Sequence, residues 1–178
     1  MFALLVLVTA LATPPADLDW VAATGGHVQR RGPRVTGLAL SGSWVTDAEL
    51  GRIPRDPALR TLELAHTRIT DQGLLRLRDL PAIETLDLRF AEGLTDAGLG
   101  AIRGWRRLRR LDLHGTKVTD GVLAVLATIS SLGALDLGFA QITDAGLPQL
   151  AAQSDLEELT LGGNKVSEPA LHALRPLG

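Results

Sequence analysis

The chain has 178 residues, of which 46% are hydrophobic and only 3% aromatic, and its formal net charge is −2. This length suits a single domain with a sizeable aliphatic core, which excludes global disorder. The near-neutral charge gives no electrostatic reason to expect a nucleic acid or an anionic membrane as partner, and the lack of cysteine excludes disulfides and thiolate metal sites.

The N-terminus is an apolar run, Phe2 to Ala12, followed by Thr13-Pro14-Pro15. As a helix this run spans about 16 Å, roughly half of a bilayer core, so we expect no stable membrane insertion. Small residues at Ala10 and Ala12 suit a signal peptidase, and residues 1–12 are therefore predicted to be a signal segment. The protein is then secreted or held in the cell envelope (periplasm). The alternative is a helix packed on a cytoplasmic domain.

Residues 13–34 are predicted to form an N-terminal cap made of a short helix and a hairpin. The helix lies within Asp17 to Ala23 and directs Trp20 and Val21 at the first repeat, and Gly25-Gly26 ends it. The hairpin turn carries a cluster of basic side chains, namely Arg30, Arg31 and Arg34. We interpret these arginines as solvated, with an anion site as the alternative.

A Thr-Asp dipeptide recurs along the rest of the chain at intervals of 24, 25, 24, 24 and 24 residues, with Ser167-Glu168 as the last copy. A Leu-x-Leu precedes each copy, and its alternation predicts a short strand with both leucines on one face. Apolar residues three apart follow each copy and predict a helical turn. One such unit cannot bury its apolar face alone, so the units must stack. The dipeptides begin at Thr46, Thr70, Thr95, Thr119, Thr143 and Ser167.

The Thr-Asp dipeptide has a structural explanation. Threonine at an N-cap accepts a hydrogen bond from a free backbone N–H, and the aspartate beside it favours the positive end of the helix dipole. Thr46-Asp47-Ala48-Glu49 is in addition a capping-box pattern. We therefore assign the dipeptide no catalytic role.

These units resemble the leucine-rich-repeat superfamily, in the subtype with Leu-x-x-Leu-x-Leu and a later Ile/Val-Thr-Asp-x-Gly-Leu. The matching stretches are Leu59-x-x-Leu62-x-Leu64 with Ile69-Thr70-Asp71-Gln72-Gly73-Leu74, and Leu132-x-x-Leu135-x-Leu137 with Ile142-Thr143-Asp144-Ala145-Gly146-Leu147. The chain is similar in this to bacterial leucine-rich-repeat proteins and to the repeats of F-box proteins. The position at which relatives carry Asn or Cys departs from the pattern, so no regular asparagine ladder is expected. It holds Ser43, Thr67, Ala91, Thr116, Ala140 and Asn164.

The resemblance implies an α/β solenoid, a right-handed superhelix of six repeats over residues 35–178. A parallel sheet forms its concave face, and short helices form its convex face. The superfamily implies protein–protein interaction and no particular chemistry.

The outward side chains of the strands form columns, and the central column is acidic: Glu63, Asp87, Asp112 and Asp136. We expect Arg89 and Arg110 to neutralise Asp87 and Asp112 in part. One interpretation of the column is a recognition surface for a basic patch on a protein partner. The other is a solvated face without function.

His66, Phe90 and Phe139 share a further column, and His114 lies in the column of Arg89. Exposed, the two phenylalanines would be anchors of an interface. Folded back, they would fill the ends of the core, and the sequence leaves both possibilities open. The two histidines stand in different columns, two strands apart, which is too far for a shared metal ion.

The sequence carries none of the common catalytic or nucleotide-binding motifs, so we expect no enzyme activity, catalytic residue, cofactor or metal. We predict a protein-binding module that uses its concave face, with no nucleic acid partner. The alternative is a self-associating structural subunit that pairs through its C-terminal edge, where the last strand has an unpaired side, as a monomer or weak homodimer. The predicted contact residues are Glu63, His66, Asp87, Arg89, Phe90, Asp112, His114, Asp136 and Phe139.

Overall fold

The computed structural model describes residues 17–80, 82–151, 153–172 and 174. The predicted signal segment, residues 1–12, lies outside them. No helix in the described part of the chain is long and apolar enough to cross a membrane. The elements in chain order are α1 (Asp19–Ala23), β1 (His27–Arg31), β2 (Arg34–Ala39), α2 (Asp47–Leu50), β3 (Thr61–Glu63), α3 (Asp71–Leu75), β4 (Thr85–Asp87), α4 (Asp96–Leu99), β5 (Arg110–Asp112), α5 (Asp120–Leu126), β6 (Ala134–Asp136), β7 (Glu158–Thr160) and α6 (Glu168–Leu171).

The strands form one sheet in the order β1 to β7, in which β1 is antiparallel to β2 and all later neighbours are parallel. The register places the first leucine of every Leu-x-Leu in a single row: Leu38, Leu62, Leu86, Leu111, Leu135 and Leu159. This confirms the predicted α/β solenoid of six repeats, with the parallel sheet on one face and the short helices on the other.

One apolar core runs through the stack. Both leucines of each Leu-x-Leu are buried in the first five repeats, and they join the apolar residues of the helical segments in one continuous cluster. Each fully buried leucine contributes about 2 kcal/mol. No repeat has this burial by itself, because one side of its leucines is covered by the next repeat.

The stretch before the first repeat contributes to the same core. Trp20 and Val21 of α1 are buried in it, and β1 pairs with β2 as a hairpin whose turn includes Gly32 at φ +61°. The division of the chain at residues 12 and 34 stays a prediction.

The helical segments are short, and some are 3-10 helices. In the third repeat α4 continues as the 3-10 helix Gly100–Gly104, and in the fifth the segment is the 3-10 helix Leu147–Leu150. Pro148 is the second residue of the latter, in the first turn, where its missing N–H leaves no helical hydrogen bond unmade. Leucines three apart suit the three-residue turn of a 3-10 helix, which brings Leu147 and Leu150 to the same side.

The predicted threonine caps are confirmed. The hydroxyls of Thr46, Thr70, Thr95 and Thr119 each accept a hydrogen bond from the backbone N–H two residues later. Thr143 does the same for the N–H of Ala145, at 3.3 Å.

The aspartate of the dipeptide has a role that the sequence analysis did not foresee. Its carboxylate accepts two hydrogen bonds from the threonine of the next repeat. The Thr70 N–H donates to Asp47 Oδ1 at 2.8 Å, and the Thr70 hydroxyl donates to Asp47 Oδ2 at 2.6 Å. We call this series the Thr–Asp ladder; its other pairs are Asp71–Thr95, Asp96–Thr119, Asp120–Thr143 and Asp144–Ser167. The helix-dipole role predicted for this aspartate is therefore incomplete, because its main partners lie in the neighbouring repeat.

In the first repeat a glutamate of the same repeat accepts the two hydrogen bonds that a ladder aspartate accepts in the later repeats. Glu49 Oε2 accepts the Thr46 N–H at 2.9 Å and the Thr46 hydroxyl at 2.7 Å, which confirms the predicted capping box. In the next two repeats the position of Glu49 is a glycine, Gly73 or Gly98. A Cβ on Gly98 would lie 2.3 Å from Asp71 Oδ1, so the ladder carboxylate needs this residue to be glycine.

We predict that Asp71→Ala lowers the free energy of unfolding by about 1 to 2 kcal/mol, because two hydrogen bonds to a partly exposed charged acceptor are lost. Asp71→Glu keeps the charge at the start of α3 but adds a methylene where Gly98 leaves no room, and is expected to destabilise as well. Urea unfolding measures both. Asp79→Ala, at an exposed ion pair with Arg78, is the control. A fully stable Asp71→Glu variant would show that the helix dipole alone explains the aspartate.

Candidate functional site

The register between neighbouring strands brings the residues of the predicted acidic column together. Glu63, Asp87, Asp112 and Asp136 are partly exposed and lie side by side on β3 to β6. Neighbouring parallel strands are about 4.8 Å apart, so these like charges are close.

Much of this charge is compensated within the chain. Arg89 forms a forked pair with Asp87, with Nε 3.0 Å from Oδ1 and Nη2 2.7 Å from Oδ2. Its Nε also lies 3.4 Å from Asp112 Oδ2. The backbone N–H groups of Arg89, His114 and Gly138 donate to the three aspartates two residues earlier, at 3.0, 3.0 and 2.7 Å. These hydrogen bonds fix the orientation of the three aspartate carboxylates.

The other arginine expected to neutralise the column does not do so. Arg110 Nη1 lies 3.1 Å from Glu158 Oε2, and the structure gives it no contact with Asp112. Arg110 belongs to the column on the N-terminal side of the strands, where the small Ala134 lies between it and Glu158. The arginine extends along its own column across that alanine instead of turning towards Asp112.

Asp112 is the member of the column whose pKa the fold raises. Burial raises the pKa of Asp112, and the nearby charges of Asp136 and Asp87 raise it further. The hydrogen bond from the His114 N–H and the charge of Arg89 oppose this increase. His114 Nδ1 lies 3.5 Å from Asp136 Oδ1.

We predict that the stability of Asp112→Asn relative to wild type rises between pH 3.5 and pH 7. A carboxyl whose pKa is raised in the folded state stabilises the fold below the pKa of the unfolded chain, about 3.9, and this stability is lost as the pH rises through the folded value. Asparagine keeps an acceptor for the His114 N–H and carries no charge. Urea unfolding at several pH values measures the trend. Leu75→Ala, which changes no ionisable group, is the control and should show no such trend. A flat profile for Asp112→Asn would contradict the assigned cause.

Beside the acidic column lies a line of six residues in the left-handed backbone conformation. Three are glycines, and the other three are His66 at φ +55°, Phe90 at φ +53° and Phe139 at φ +51°. L-residues with a Cβ rarely adopt this region, at a penalty of about 1 kcal/mol or more. The glycines of the line are Gly42, Gly115 and Gly163.

Four rings follow one another across this surface, and we call them the ring row: His66, Phe90, His114 and Phe139. His66 and Phe90 are stacked with centroids 4.6 Å apart. His114 lies 5.2 Å from Phe90 and 5.2 Å from Phe139. The sequence analysis placed His66, Phe90 and Phe139 in one column and His114 in another; the His114 side chain reaches across and fills the place beside Gly115.

Glycines make room for the row. A Cβ on Gly115 would lie 2.5 Å from Phe90 Cδ1, and one on Gly163 would lie 2.7 Å from Phe139 Cδ1. A Cβ on Gly138 would lie 2.6 Å from His114 Nδ1. Three of the four rings therefore lie over a glycine of the following repeat, whereas His66 stacks on Phe90.

The two phenylalanines remain at the surface. Phe90 is 40% exposed and Phe139 is 65% exposed, so the alternative in which they fill the ends of the core is wrong. A residue that the sequence analysis passed over, Trp44, is 71% exposed, and the Arg68 guanidinium lies 5.4 Å from its ring centroid. The sequence feature that could have identified Trp44 is an aromatic residue between two positions, Ser43 and Val45, that the repeat pattern predicts to be buried.

We predict that Phe139→Gly is more stable than Phe139→Ala by about 1 kcal/mol, because both lose the ring but only alanine keeps a Cβ at positive φ. Urea unfolding of the two variants measures the difference. Leu75 in α3 is the control: there the ordinary order applies, with Leu75→Ala more stable than Leu75→Gly by about 1 kcal/mol. The same order at both positions would contradict backbone strain at Phe139.

Within the described residues, no group of three or more His, Cys, Asp or Glu side chains is placed to hold a metal ion. The site therefore consists of fixed carboxylates, one forked arginine and exposed rings. Such a surface is suited to contact with another molecule.

The comparisons with known proteins concern the repeats. The family model described as Leucine Rich repeat matches residues 57–77 and 129–151. Among solved structures, the chain is similar to an internalin from Listeria monocytogenes, at a TM-score of 0.54 and 16% sequence identity, over 78% of this chain and 45% of that one. At this identity the likeness concerns the fold, and this chain spans less than half of the internalin's length. No curated protein matches the sequence.

Proposed function

Because this chain is a leucine-rich-repeat protein, we propose that it is a protein-binding module, with no enzymatic activity, whose partner docks on the acidic column and the ring row. The contact residues are those predicted from the sequence: Glu63, His66, Asp87, Arg89, Phe90, Asp112, His114, Asp136 and Phe139. A signal segment at residues 1–12 would place the interaction outside the cytoplasm.

The observation that carries this proposal is the exposure of Phe90 and Phe139 at strained backbone positions. Glycine occupies three of the six equivalent positions without strain. A phenylalanine there adds a backbone penalty and leaves apolar surface in water, and stability alone favours neither. Strained residues at a surface indicate a binding role, and aromatic side chains are the commonest anchors of protein interfaces.

The ring row favours a protein partner over a sugar or a nucleic acid base. Bases and sugars bind to free ring faces. Here the faces of His66 and Phe90 are turned towards each other at 4.6 Å, with an angle of 18° between the planes. In this stacked pair the two facing ring surfaces are occupied, and the ring edges that remain suit aliphatic side chains and backbone carbonyls.

The carboxylates of the acidic column would orient the partner on this surface. Arg89 is mainly occupied by Asp87, so Asp112 and Asp136 retain unsatisfied negative charge next to the rings. A lysine or arginine of the partner would be drawn to this pair, and the contribution would be greatest to the association rate at low salt.

We predict that Phe90→Ala/Phe139→Ala weakens partner binding at least tenfold, since truncation of an aromatic anchor usually costs about 2 kcal/mol. The immobilised chain captures the partner from the native source, mass spectrometry identifies it, and calorimetry with the purified partner gives Kd. Leu75→Ala is the matched control, because Leu75 is 39% exposed on the opposite face.

A second variant separates the charges from the rings. Asp136→Lys should lower the association rate at low salt and have little effect at high salt. If the double phenylalanine variant binds its partner as wild type does while Leu75→Ala does not, the partner docks on the helical face and the proposal is overturned.

A further inference from the structure

The sheet has two different edges. Within the described residues, β1 pairs only with β2 and β7 pairs only with β6. An edge strand presents unpaired N–H and C=O groups along one side, which can pair with a further strand.

The β7 edge lies beside an apolar groove. Leu159, Leu161 and Val166 are only partly buried, and Leu171 of α6 is 42% exposed. In the fifth repeat the corresponding residues are buried by the sixth: Leu135, Leu137, Ile142 and Leu147. The sixth repeat thus exposes the face that every earlier repeat covers.

The β1 edge carries positive charge. Arg30 and Arg31 end this strand and Arg34 begins the next, and all three are exposed. None of them forms an ion pair within the part of the chain that the structure describes. Beside β1 lies a groove lined in part by Leu18, Ala22 and Val28.

The start of β7 carries the opposite charge. Asp155, Glu157 and Glu158 are exposed there. Among the residues that the structure describes, only Glu158 of these three has a cationic partner, Arg110, at 3.1 Å on the surface. The two edges of one sheet are therefore complementary in charge.

We propose that copies of this chain associate head to tail, with β7 of one copy forming an antiparallel strand pair with β1 of the next. The orientation follows from the sheet: β7 is parallel to β2, and β1 is antiparallel to β2. A second copy placed after β7 in the same orientation presents its β1 antiparallel to that strand. The occupant of the apolar face is thus another copy of this chain.

The register supports the pairing. Glu158 lies in the row that runs through Ala134, Arg110, Thr85, Thr61 and Gly37 to Gln29 of β1. If that row continues into the next copy, Glu158 lies beside Gln29 and Glu157 lies beside Arg30. Asp155 then falls near the turn that bears Arg31 and Arg34.

The helical layer continues in the same arrangement. α1 belongs to this layer, since Arg52, which follows α2, lies 5.5 Å from the Trp20 ring centroid. α6 of one copy would meet α1 of the next, and the exposed Leu171 would enter the groove that includes Ala22. Such an interface joins two different surfaces, so a pair of copies retains one free edge of each kind, to which further copies can add.

A closed pair of two β7 edges is the competing arrangement. It would bring two acidic strand starts into one interface without any of the hairpin arginines. Charge complementarity therefore favours β1 over a second β7 as the partner of β7.

The test is sedimentation velocity of the full chain over a range of concentrations at low salt. Wild type is expected to associate reversibly. Arg30→Glu/Arg31→Glu and Glu157→Lys/Glu158→Lys are each expected to weaken association at least tenfold, and an equimolar mixture of the two variants is expected to restore it. Arg103→Glu/Arg106→Glu, with equally exposed arginines that do not line the groove of Arg31 and Arg34, is the control and should associate as wild type does.

Two results would overturn the proposal. One is a wild-type monomer at every concentration. The other is association that the hairpin reversal leaves unchanged, which would indicate the β7–β7 pair. Because Phe90 follows β4, three strands away from β7 in the sheet, Phe90→Ala should leave self-association intact while it weakens partner binding, so this proposal and the proposed function fail independently. Circular dichroism and urea unfolding confirm that the surface variants are folded.

Discussion

The contact between one repeat and the next is the interaction on which this molecule depends. Two features make that contact: leucines that are buried only when the following repeat covers them, and the Thr–Asp ladder that fixes the position of each repeat. The leucines contribute most of the stability, but they are non-directional and would tolerate small shifts. The ladder hydrogen bonds are directional and have one acceptable position, so they set the register from which every surface column follows.

A fixed register also creates a problem, because it places equivalent side chains of neighbouring repeats about 4.8 Å apart. Identical large or charged residues in every repeat would collide or repel. The acidic column nevertheless places four like charges in succession, and the chain lessens the conflict with residues of other columns or repeats. Arg89 separates the charges of Asp87 and Asp112, and Gly115 and Gly163 accept the rings of Phe90 and Phe139. The surface thus depends on residues that differ between repeats, whereas the core depends on residues that recur in every repeat.

This contrast explains what the sequence predicts and what it does not. The 24-residue period gives the strands, the caps and the leucine rows, because each depends on spacing within one repeat. The ladder was missed because capping within one repeat already accounted for Thr-Asp. The paths of Arg110 and His114 were missed for a different reason: a column position fixes where a side chain begins, and neighbouring small residues, Ala134 and Gly115, decide where it goes. Exposure of Phe90 likewise depends on space in the adjacent repeat.

At the left-handed positions, the stability of the fold and the proposed binding role favour different residues. Glycine meets the backbone requirement there, and a ring meets it only with strain, so the choice between them at six equivalent positions is made by something other than folding. Phe90 and Phe139 lie two repeats apart, and His114 fills the interval from the adjacent column, so the rings are continuous although the strained residues are not. Under the proposed function, this continuous line of rings, obtained with few strained positions, balances contact with a partner against the stability of the fold.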